Sequence, residues 1–304
     1  MLLCLTGQTA VGKSRLSLKI SRIIDTPVIS ADSMQIYKGF DIGTAKPAPE
    51  ELAETKHYMI NIAEPEDYFS SYDYAQQAES IISDLETENK IPFISGGTGF
   101  YIETLLFPND FDNSVDFEYR KELDSLLRTY GKDALVKMLQ ETDPKTAEKI
   151  HPNNTKQIIR ALEIFKTTGK RKSEGSVKRK PKFEYVLFQL TMPREKLYER
   201  INERVDLMIK KGLTEEVYGL YKRIDKNSQS MQGIGYKELV SYFEGECTLS
   251  EAIENIKLNT RHYAKRQETF FKRLDPIILD TENGDNKNID IILKELDKKQ
   301  KEIE

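Results

Sequence analysis

Residues 7–14 of the 304-residue chain read Gly-Gln-Thr-Ala-Val-Gly-Lys-Ser, which matches the phosphate-binding pattern G-x-x-x-x-G-K-[ST]. Glycines let such a loop close around phosphate oxygens, and its N–H groups and the following helix N-terminus favour an anion. Lys13 supplies a positive charge, and the Ser14 hydroxyl is a suitable ligand for Mg²⁺. The pattern predicts phosphate binding and fits kinases, ATPases, GTPases and transferases that release pyrophosphate.

Two further polar loops follow apolar stretches that read as strands. Asp32 comes after residues 27–30, and Gly-Gly-Thr-Gly at 96–99 comes after residues 91–95. Because the carboxyl ends of parallel strands meet at one edge of a sheet, we expect both loops to lie beside the phosphate-binding loop. Asp32 then binds Mg²⁺, acts as a general base, or only caps a turn. Thr98 offers its hydroxyl to a ligand, or belongs to an ordinary tight turn.

The elements that position these loops are predicted from hydrophobic patterns. Strands are predicted at 2–5, 27–30, 58–62, 91–95, 185–191 and 276–279. Helical patterns separate them, so the fold class is α/β, a P-loop NTPase-like parallel sheet with an inserted all-helical domain. The predicted bounds are 1–108 and 183–281 for the α/β core, 109–182 for the helical insertion and 282–304 for a charged C-terminal tail.

Composition narrows the classes of protein. Hydrophobic residues make up 38% and charged residues 32%, a balance typical of folded chains. Cys4 and Cys247 stand alone, which argues against a disulfide scaffold or a zinc site. The apolar run at the N-terminus is too short for a signal sequence or a membrane span, so we expect a cytoplasmic protein.

The net charge of −4 excludes a global basic field, so nucleic-acid binding must rest on local basic segments. One is the loop 170–182, with seven basic residues and one acid. Another is a predicted helix ending near Arg273, on which Arg261, Lys265 and Lys272 fall near one face. Both fit phosphate contacts, while a mobile linker and a solvated helix face are the alternatives.

The motifs together resemble those of the tRNA dimethylallyltransferases, also called tRNA isopentenyltransferases. The matching segments are GQTAVGKS at 7–14, DSMQIYKGFDIGTAKP at 32–47, GGTGFYI at 96–102, IHPNNTKQIIRALEIFKTTGK at 150–170, QGIGYKEL at 232–239 and TRHYAKRQETFFKR at 260–273. The stretch DIGTAKP is the most specific of them, and no cysteine follows Cys247, as in the bacterial type. The resemblance implies transfer of a dimethylallyl group from dimethylallyl pyrophosphate to the exocyclic amine of the tRNA adenine immediately 3′ of the anticodon, with release of pyrophosphate.

The resemblance also implies roles for individual residues. Asp32 is the expected general base, with Lys13, Thr98 and Arg204 as further catalytic residues. The expected donor-binding residues are Gly7, Thr9, Ala10, Val11, Gly12, Lys13, Ser14 and Arg204, with Mg²⁺ as the cofactor at Ser14. The residues expected to contact tRNA are Asp32, Ser33, Met34, Gln35, Thr98, Arg120, Lys156, Gln157, Ile158, Ile159, Arg160, Gln232, Gly233, Ile234, Gly235, Tyr236, Lys237, Lys265, Arg266, Gln267, Glu268, Thr269, Phe270, Phe271 and Lys272.

The expected partners are the anticodon stem-loop of tRNA and dimethylallyl pyrophosphate, with no membrane, and the expected state is a monomer. The target base must leave its stack, and the helical insertion would hold the stem-loop. Three alternatives stay open. They are a small-molecule or nucleotide kinase, an isopentenyltransferase acting on free adenine nucleotide, and a P-loop RNA-binding protein without transferase activity.

Overall fold

Six parallel strands form a single sheet in the order β3-β2-β4-β1-β5-β6. The computed structural model describes residues 1–108, 116–175 and 180–303. The strands are β1 Leu2–Gly7, β2 Val28–Ala31, β3 His57–Tyr58, β4 Phe93–Gly96, β5 Tyr185–Thr191 and β6 Ile277–Asp280. All residues of β1 and β2 are buried, as expected for central parallel strands covered on both faces.

The predicted α/β class with a parallel sheet is therefore confirmed. The strand predicted at 58–62 is much shorter in the structure, where β3 covers only His57–Tyr58. Met59 and Asn61 have φ angles of 63° and 55°, and such left-handed residues cannot continue a strand. The chain therefore turns away from the sheet at the point where the apolar pattern still reads as extended.

Helices connect the strands and cover the sheet. The helices are α1 Lys13–Ile23, α2 Pro49–Glu54, α3 Ser71–Thr87, α4 Gly99–Leu106, α5 Phe117–Tyr130, α6 Lys132–Thr142, α7 Pro144–Ala147, α8 Thr155–Thr168, α9 Arg194–Lys210, α10 Leu213–Tyr221, α11 Tyr236–Phe243, α12 Leu249–Lys272 and α13 Gly284–Ile303. Leu197, Ile201, Val205 and Met208 form the buried stripe of α9, at the spacing that predicts an amphipathic helix.

The chain divides into two compact units, Met1–Leu106 with Phe183–Glu304, and Phe107–Lys182. The described part of the second unit contains α5 to α8, whose buried core includes Leu123, Leu139 and Leu162. Helix α8 ends at Gly169 in the left-handed conformation, as its glycine predicts. Every strand and all three loops of the candidate site belong to the first unit.

The C-terminal segment differs from the predicted charged tail, because residues 284–303 form α13. Ile289, Ile292 and Leu296 pack into the same core cluster as the strand residues of β1 and β5. Asp285 at the start of α13 also accepts hydrogen bonds from the side chains of Arg15 and Lys19. The charged residues of α13 lie mainly on its outer face, so a narrow apolar stripe on the inner face is not evident from the composition of this segment.

Truncating this stripe is expected to destabilise the first unit. Ile292 is fully buried, so Ile292→Ala should lower the free energy of unfolding by about 3 kcal/mol through lost burial and the cavity left behind. Urea denaturation followed by circular dichroism measures it. Lys294→Ala on the exposed face is the matched control and should change stability by less than about 0.5 kcal/mol. Equal, small effects of both variants would mean that α13 is not part of the cooperative core.

Candidate active site

The phosphate-binding loop lies between β1 and α1. Gly7 has a φ of 146°, and a Cβ at this position would lie 2.5 Å from the carbonyl oxygen of Leu190, so only glycine fits. Gly12 precedes α1 with a φ of 109°. The Val11 side chain is buried in the hydrophobic core, so this residue offers only its backbone N–H to a ligand. The loop therefore presents main-chain N–H groups and the N-terminus of α1 to an anion.

Lys13 reaches back across the loop. Its Nζ donates to the carbonyl oxygens of Gly7 at 2.9 Å and Gln8 at 2.6 Å. Desolvation by burial, followed by the positive charge of Arg204, lowers the pKa of Lys13 to about 7, and Asp32 acts in the opposite direction. Such crowding of cations is relieved when an anion binds, so the loop is electrostatically prepared for one.

Helix α9 adds two arginines to this cluster. Burial lowers the pKa of Arg204, Asp32 raises it, and the neighbouring charge of Arg200 lowers it further. The guanidinium of Arg200 lies 3.9 Å from the position that a Cβ on Gly12 would take. The i, i+4 spacing places both arginines on one face of α9. Arg200 is thus a site residue to which the sequence interpretation gave no role, and its spacing from Arg204 was the available signal.

Asp32 follows β2 and lies at the same edge of the sheet as the phosphate-binding loop. Its Oδ1 accepts the N–H groups of Met34 at 2.9 Å and Gln35 at 3.3 Å. Within the described part of the chain, its Oδ2 has no hydrogen-bond donor. One oxygen of Asp32 therefore caps the turn, as one prediction had it, and the other oxygen is open to a ligand.

The loop after β4 is hydrogen-bonded to the loop that carries Asp32 and, through Gln267, to the phosphate-binding loop. Oγ1 of Thr98 accepts the N–H of Ser33 at 2.9 Å, so this hydroxyl holds the loop that carries Asp32. Gln267 of α12 donates to the carbonyl oxygen of Gly97 at 2.8 Å and accepts the N–H of Thr9 at 2.8 Å. A Cβ on Gly97 would lie 2.2 Å from Nε2 of Gln267, which explains the glycine. Thr98 therefore makes a positioning contact with the loop that carries Asp32, and its catalytic role stays a prediction.

Two cavities adjoin at Asp32. The first, about 250 Å³, is polar and is lined by residues that include Lys13, Ser14 and Arg200. The second, about 320 Å³, has a more apolar lining from α9, α10, α11 and α12. Both cavities are lined by Thr9, Asp32, Thr44, Arg204 and Tyr263. A cationic cavity continuous with an apolar one suits a molecule with a phosphate head and a short hydrocarbon tail, and it places a carboxylate where the two parts meet.

The residues expected to contact RNA differ widely in their exposure, and many of them are half-buried. The side chains of Ile158, Tyr236, Gln267 and Phe271 are at most 5% exposed, so the expectation of a surface contact is corrected at these four positions. Ile158 and Phe271 face the protein core, whereas Tyr236 and Gln267 line the cavities at the strand ends. The exposed ones are Lys156, Gln157, Gln232, Lys237, Lys265, Arg266, Thr269 and Lys272.

In the helical unit, Arg120 and Arg160 both pair with the fully buried Glu163, with the Arg120 Nε–Glu163 Oε1 distance at 2.7 Å and the Arg160 Nη1–Glu163 Oε2 distance at 2.5 Å. This carboxylate fixes the orientation of two cations. The predicted basic loop 170–182 includes residues 176–179, which lie outside the described residues. Its beginning is anchored where the N–H of Ser173 donates to Oδ2 of Asp143.

Within residues 1–108, 116–175 and 180–303, no three His, Cys, Asp or Glu side chains are grouped so that they could hold a metal ion. No helix in these ranges has the length and hydropathy needed to cross a bilayer.

Comparison with known proteins shows to which family the chain belongs. The model of the IPP transferase family matches residues 35–274. A tRNA dimethylallyltransferase from Bacillus mycoides (strain KBAB4) is 45% identical over 283 residues, which cover 92% of this chain and 89% of the relative. A tRNA dimethylallyltransferase from Acetivibrio thermocellus is 45% identical over 280 residues, with 90% of each chain covered. The chain belongs to the IPP transferase family.

Solved structures are similar over most of their length. The full-length tRNA isopentenylpyrophosphate transferase from Bacillus halodurans is 39% identical, with a TM-score of 0.74 and coverage of 99% of this chain and 98% of the other. A eukaryotic dimethylallyltransferase acting on tRNA is 29% identical, with a TM-score of 0.75 and coverage of 92% of this chain and 73% of the other. Both structures agree with the predicted P-loop-like α/β fold, and the Bacillus proteins agree with the bacterial type of the resemblance.

Proposed function

We propose that the protein is a tRNA dimethylallyltransferase, which moves a dimethylallyl group from dimethylallyl pyrophosphate to the exocyclic amine of the tRNA adenine immediately 3′ of the anticodon. The observation that supports this most strongly is the pair of adjoining cavities, one cationic and one apolar, with Asp32 lining both. A cationic site beside a cavity with a more apolar lining fits a donor that joins a pyrophosphate head to a branched five-carbon tail.

The pyrophosphate head of the donor binds the main-chain N–H groups of residues 10–14, together with Lys13 and Arg204. As the C–O bond of the donor breaks, negative charge grows on the leaving pyrophosphate. Cations already fixed beside the loop stabilise this charge more in the transition state than in the ground state. Arg200 completes this set of cations, because its guanidinium lies close to Gly12.

Mg²⁺ fits the polar cavity. Ser14 is exposed at the start of α1 and lines the cavity, and one hydroxyl with phosphate oxygens and water is a usual ligand set for this ion. Ser14 would hold the ion, which supplies further neutralisation of charge on the leaving pyrophosphate.

Asp32 acts as the general base. The adenine amine attacks the first carbon of the donor, an N–C bond forms as the C–O bond breaks, and Asp32 takes a proton from the amine. The hydrogen bonds from Met34 and Gln35 to Oδ1 hold the carboxylate still, which favours the reactive orientation. The adenine must leave its stack to reach the apolar cavity.

We propose that tRNA is contacted by those residues of the predicted tRNA-binding set that are exposed. The protein is further proposed to act as a monomer in the cytoplasm. Lys265 on α12 is exposed and is proposed to contact a phosphate. Lys265→Ala should reduce the slope of log Kd for tRNA against log salt concentration by about 0.7 to 0.9, since one fewer counterion is released. Filter binding over a salt series measures the slope, and Lys298→Ala, an exposed lysine on α13, is the control. Identical slopes for wild type and Lys265→Ala would exclude the contact.

The test of the proposed function is product formation. Purified protein is incubated with Mg²⁺, dimethylallyl pyrophosphate and unmodified tRNA, and the digested RNA is analysed by mass spectrometry. Isopentenyladenosine is the expected product, released pyrophosphate is expected in equal amount, and ATP should not replace the donor. Transfer to free adenine nucleotide, or ATP turnover without tRNA, would instead support the corresponding alternative enzyme.

A further inference from the structure

The motif DIGTAKP at residues 41–47 has no role in the reaction described so far. These residues lie in turns and irregular backbone between β2 and α2. Thr44 and Ala45 line the polar cavity, whereas Gly43 and Thr44 line the apolar one. The motif therefore forms a wall shared by both cavities, and any displacement of this loop changes the shape of the donor site.

Glu216 on α10 holds this loop through four hydrogen bonds. Its Oε2 accepts the N–H groups of Asp41 at 3.1 Å and Ile42 at 2.7 Å. Its Oε1 accepts the N–H of Gly43 at 3.2 Å and the hydroxyl of Tyr236 at 2.8 Å. Hydrogen bonds to an ionised carboxylate are stronger than neutral ones, and three of these four hold consecutive residues of the loop.

Tyr236 makes this attachment specific. Its side chain is fully buried, and burial together with the charge of Glu216 raises the pKa of its phenol, so the hydroxyl stays protonated and donates. A Cβ on Gly43 would lie 2.6 Å from the Tyr236 hydroxyl oxygen, which accounts for the glycine of the motif. Lys46, the lysine of the motif, donates to Oδ1 of Asp41 within the loop and to Oδ1 of Asn61, each at 2.6 Å. The second hydrogen bond connects the loop to the segment that follows β3.

We infer that Glu216 is a positioning residue for the donor: it fixes the loop 41–45 so that Thr44 and Ala45 close the cavity around the pyrophosphate head. Glu216 acts through the main chain of the loop and not by contact with the donor. This inference rests on the proposed function, since the donor in question is dimethylallyl pyrophosphate. It predicts a defect confined to donor binding.

The test separates the kinetic constants of the two substrates. Glu216→Ala should raise the KM for dimethylallyl pyrophosphate by about ten-fold or more, because three loop N–H groups lose a charged acceptor. The KM for tRNA should stay within about two-fold of the wild-type value. Tyr236→Phe removes one of the four bonds and should raise the donor KM by about three-fold. Glu215→Gln, the exposed neighbour on the same helix, is the matched control and should behave as wild type.

Two results would overturn the inference. One is a wild-type donor KM for Glu216→Ala, and the other is an equal loss in both KM values and in kcat with native circular dichroism, which indicates a general structural role. If the alanine variant does not fold, Glu216→Gln replaces it, with the same direction expected. Calorimetric titration with Mg²⁺ and inorganic pyrophosphate tests the loop without any transfer, so a wild-type protein that binds pyrophosphate but modifies no tRNA refutes the proposed function alone.

Discussion

Asp32→Asn is expected to lower kcat for transfer to tRNA by about 100- to 10,000-fold, the range that a well-placed general base contributes. Asparagine keeps an oxygen that accepts the N–H groups of Met34 and Gln35, so the turn after β2 is preserved. The amide has no basic oxygen, so the proton of the attacking amine has no acceptor. Rapid-quench kinetics with saturating substrates measure the chemical step.

The comparison with Asp32→Ala separates the two roles of the residue. Alanine also removes the cap of the turn, so this variant should show the same loss of kcat together with a stability loss of about 1 kcal/mol. The Kd for tRNA should stay near the wild-type value in Asp32→Asn. A kcat for Asp32→Asn within about five-fold of wild type would rule out the general-base role, because the rate would then not depend on a basic oxygen at this position.

Lys13→Met is expected to lower kcat/KM for dimethylallyl pyrophosphate by about 100- to 1,000-fold. Methionine keeps most of the side-chain volume and removes the cation beside the pyrophosphate. The variant also loses the hydrogen bonds to the carbonyl oxygens of Gly7 and Gln8, so the loop is less fixed. Steady-state rates at varied donor concentration and saturating tRNA measure the effect.

Lys19→Met is the matched control for this variant. Lys19 lies on α1 as well, but its Nζ pairs with Asp285 at 2.7 Å on the surface. Removing an exposed ion pair changes stability by at most about 1 kcal/mol and should leave donor kinetics unchanged. The KM for tRNA should be the same in both variants. Equal kinetics for Lys13→Met and wild type would contradict the assignment of the pyrophosphate to this loop.

The parallel sheet was predictable because its strands are buried on both faces. Leu2–Gly7 begins with a continuous apolar run that ends in a glycine-containing turn, and Tyr185–Thr191 is mostly apolar and is followed by Pro193. The early end of β3 was not predictable, since it depends on the left-handed backbone of Met59 and Asn61. Helix α13 was only partly predictable: residues 289–296 show a weakly amphipathic pattern, but charged residues outnumber the three apolar ones that reach the core.

The loops of the site were predictable to the extent that strand ends converge in a parallel sheet. Lys13, Asp32 and Arg204 line one cavity, as three separate segments of the sequence indicated. The contributions of Glu216 and Gln267 were not predictable, because each acts by hydrogen bonds to the main chain of a distant loop. Such contacts leave no local pattern, and only the packing of α10 against α9 and α11, and of α12 against β1, creates them.

The most direct measurement is a crystal structure of the protein with Mg²⁺ and dimethylallyl thiopyrophosphate, an analogue whose C–S bond is cleaved slowly. The predicted result is a pyrophosphate head on the N–H groups of residues 10–14 with Lys13 and Arg204, and a dimethylallyl tail in the apolar cavity with its first carbon facing Asp32. A head bound elsewhere, or a tail directed into solvent away from Asp32, would contradict the assignment of the two cavities to one donor.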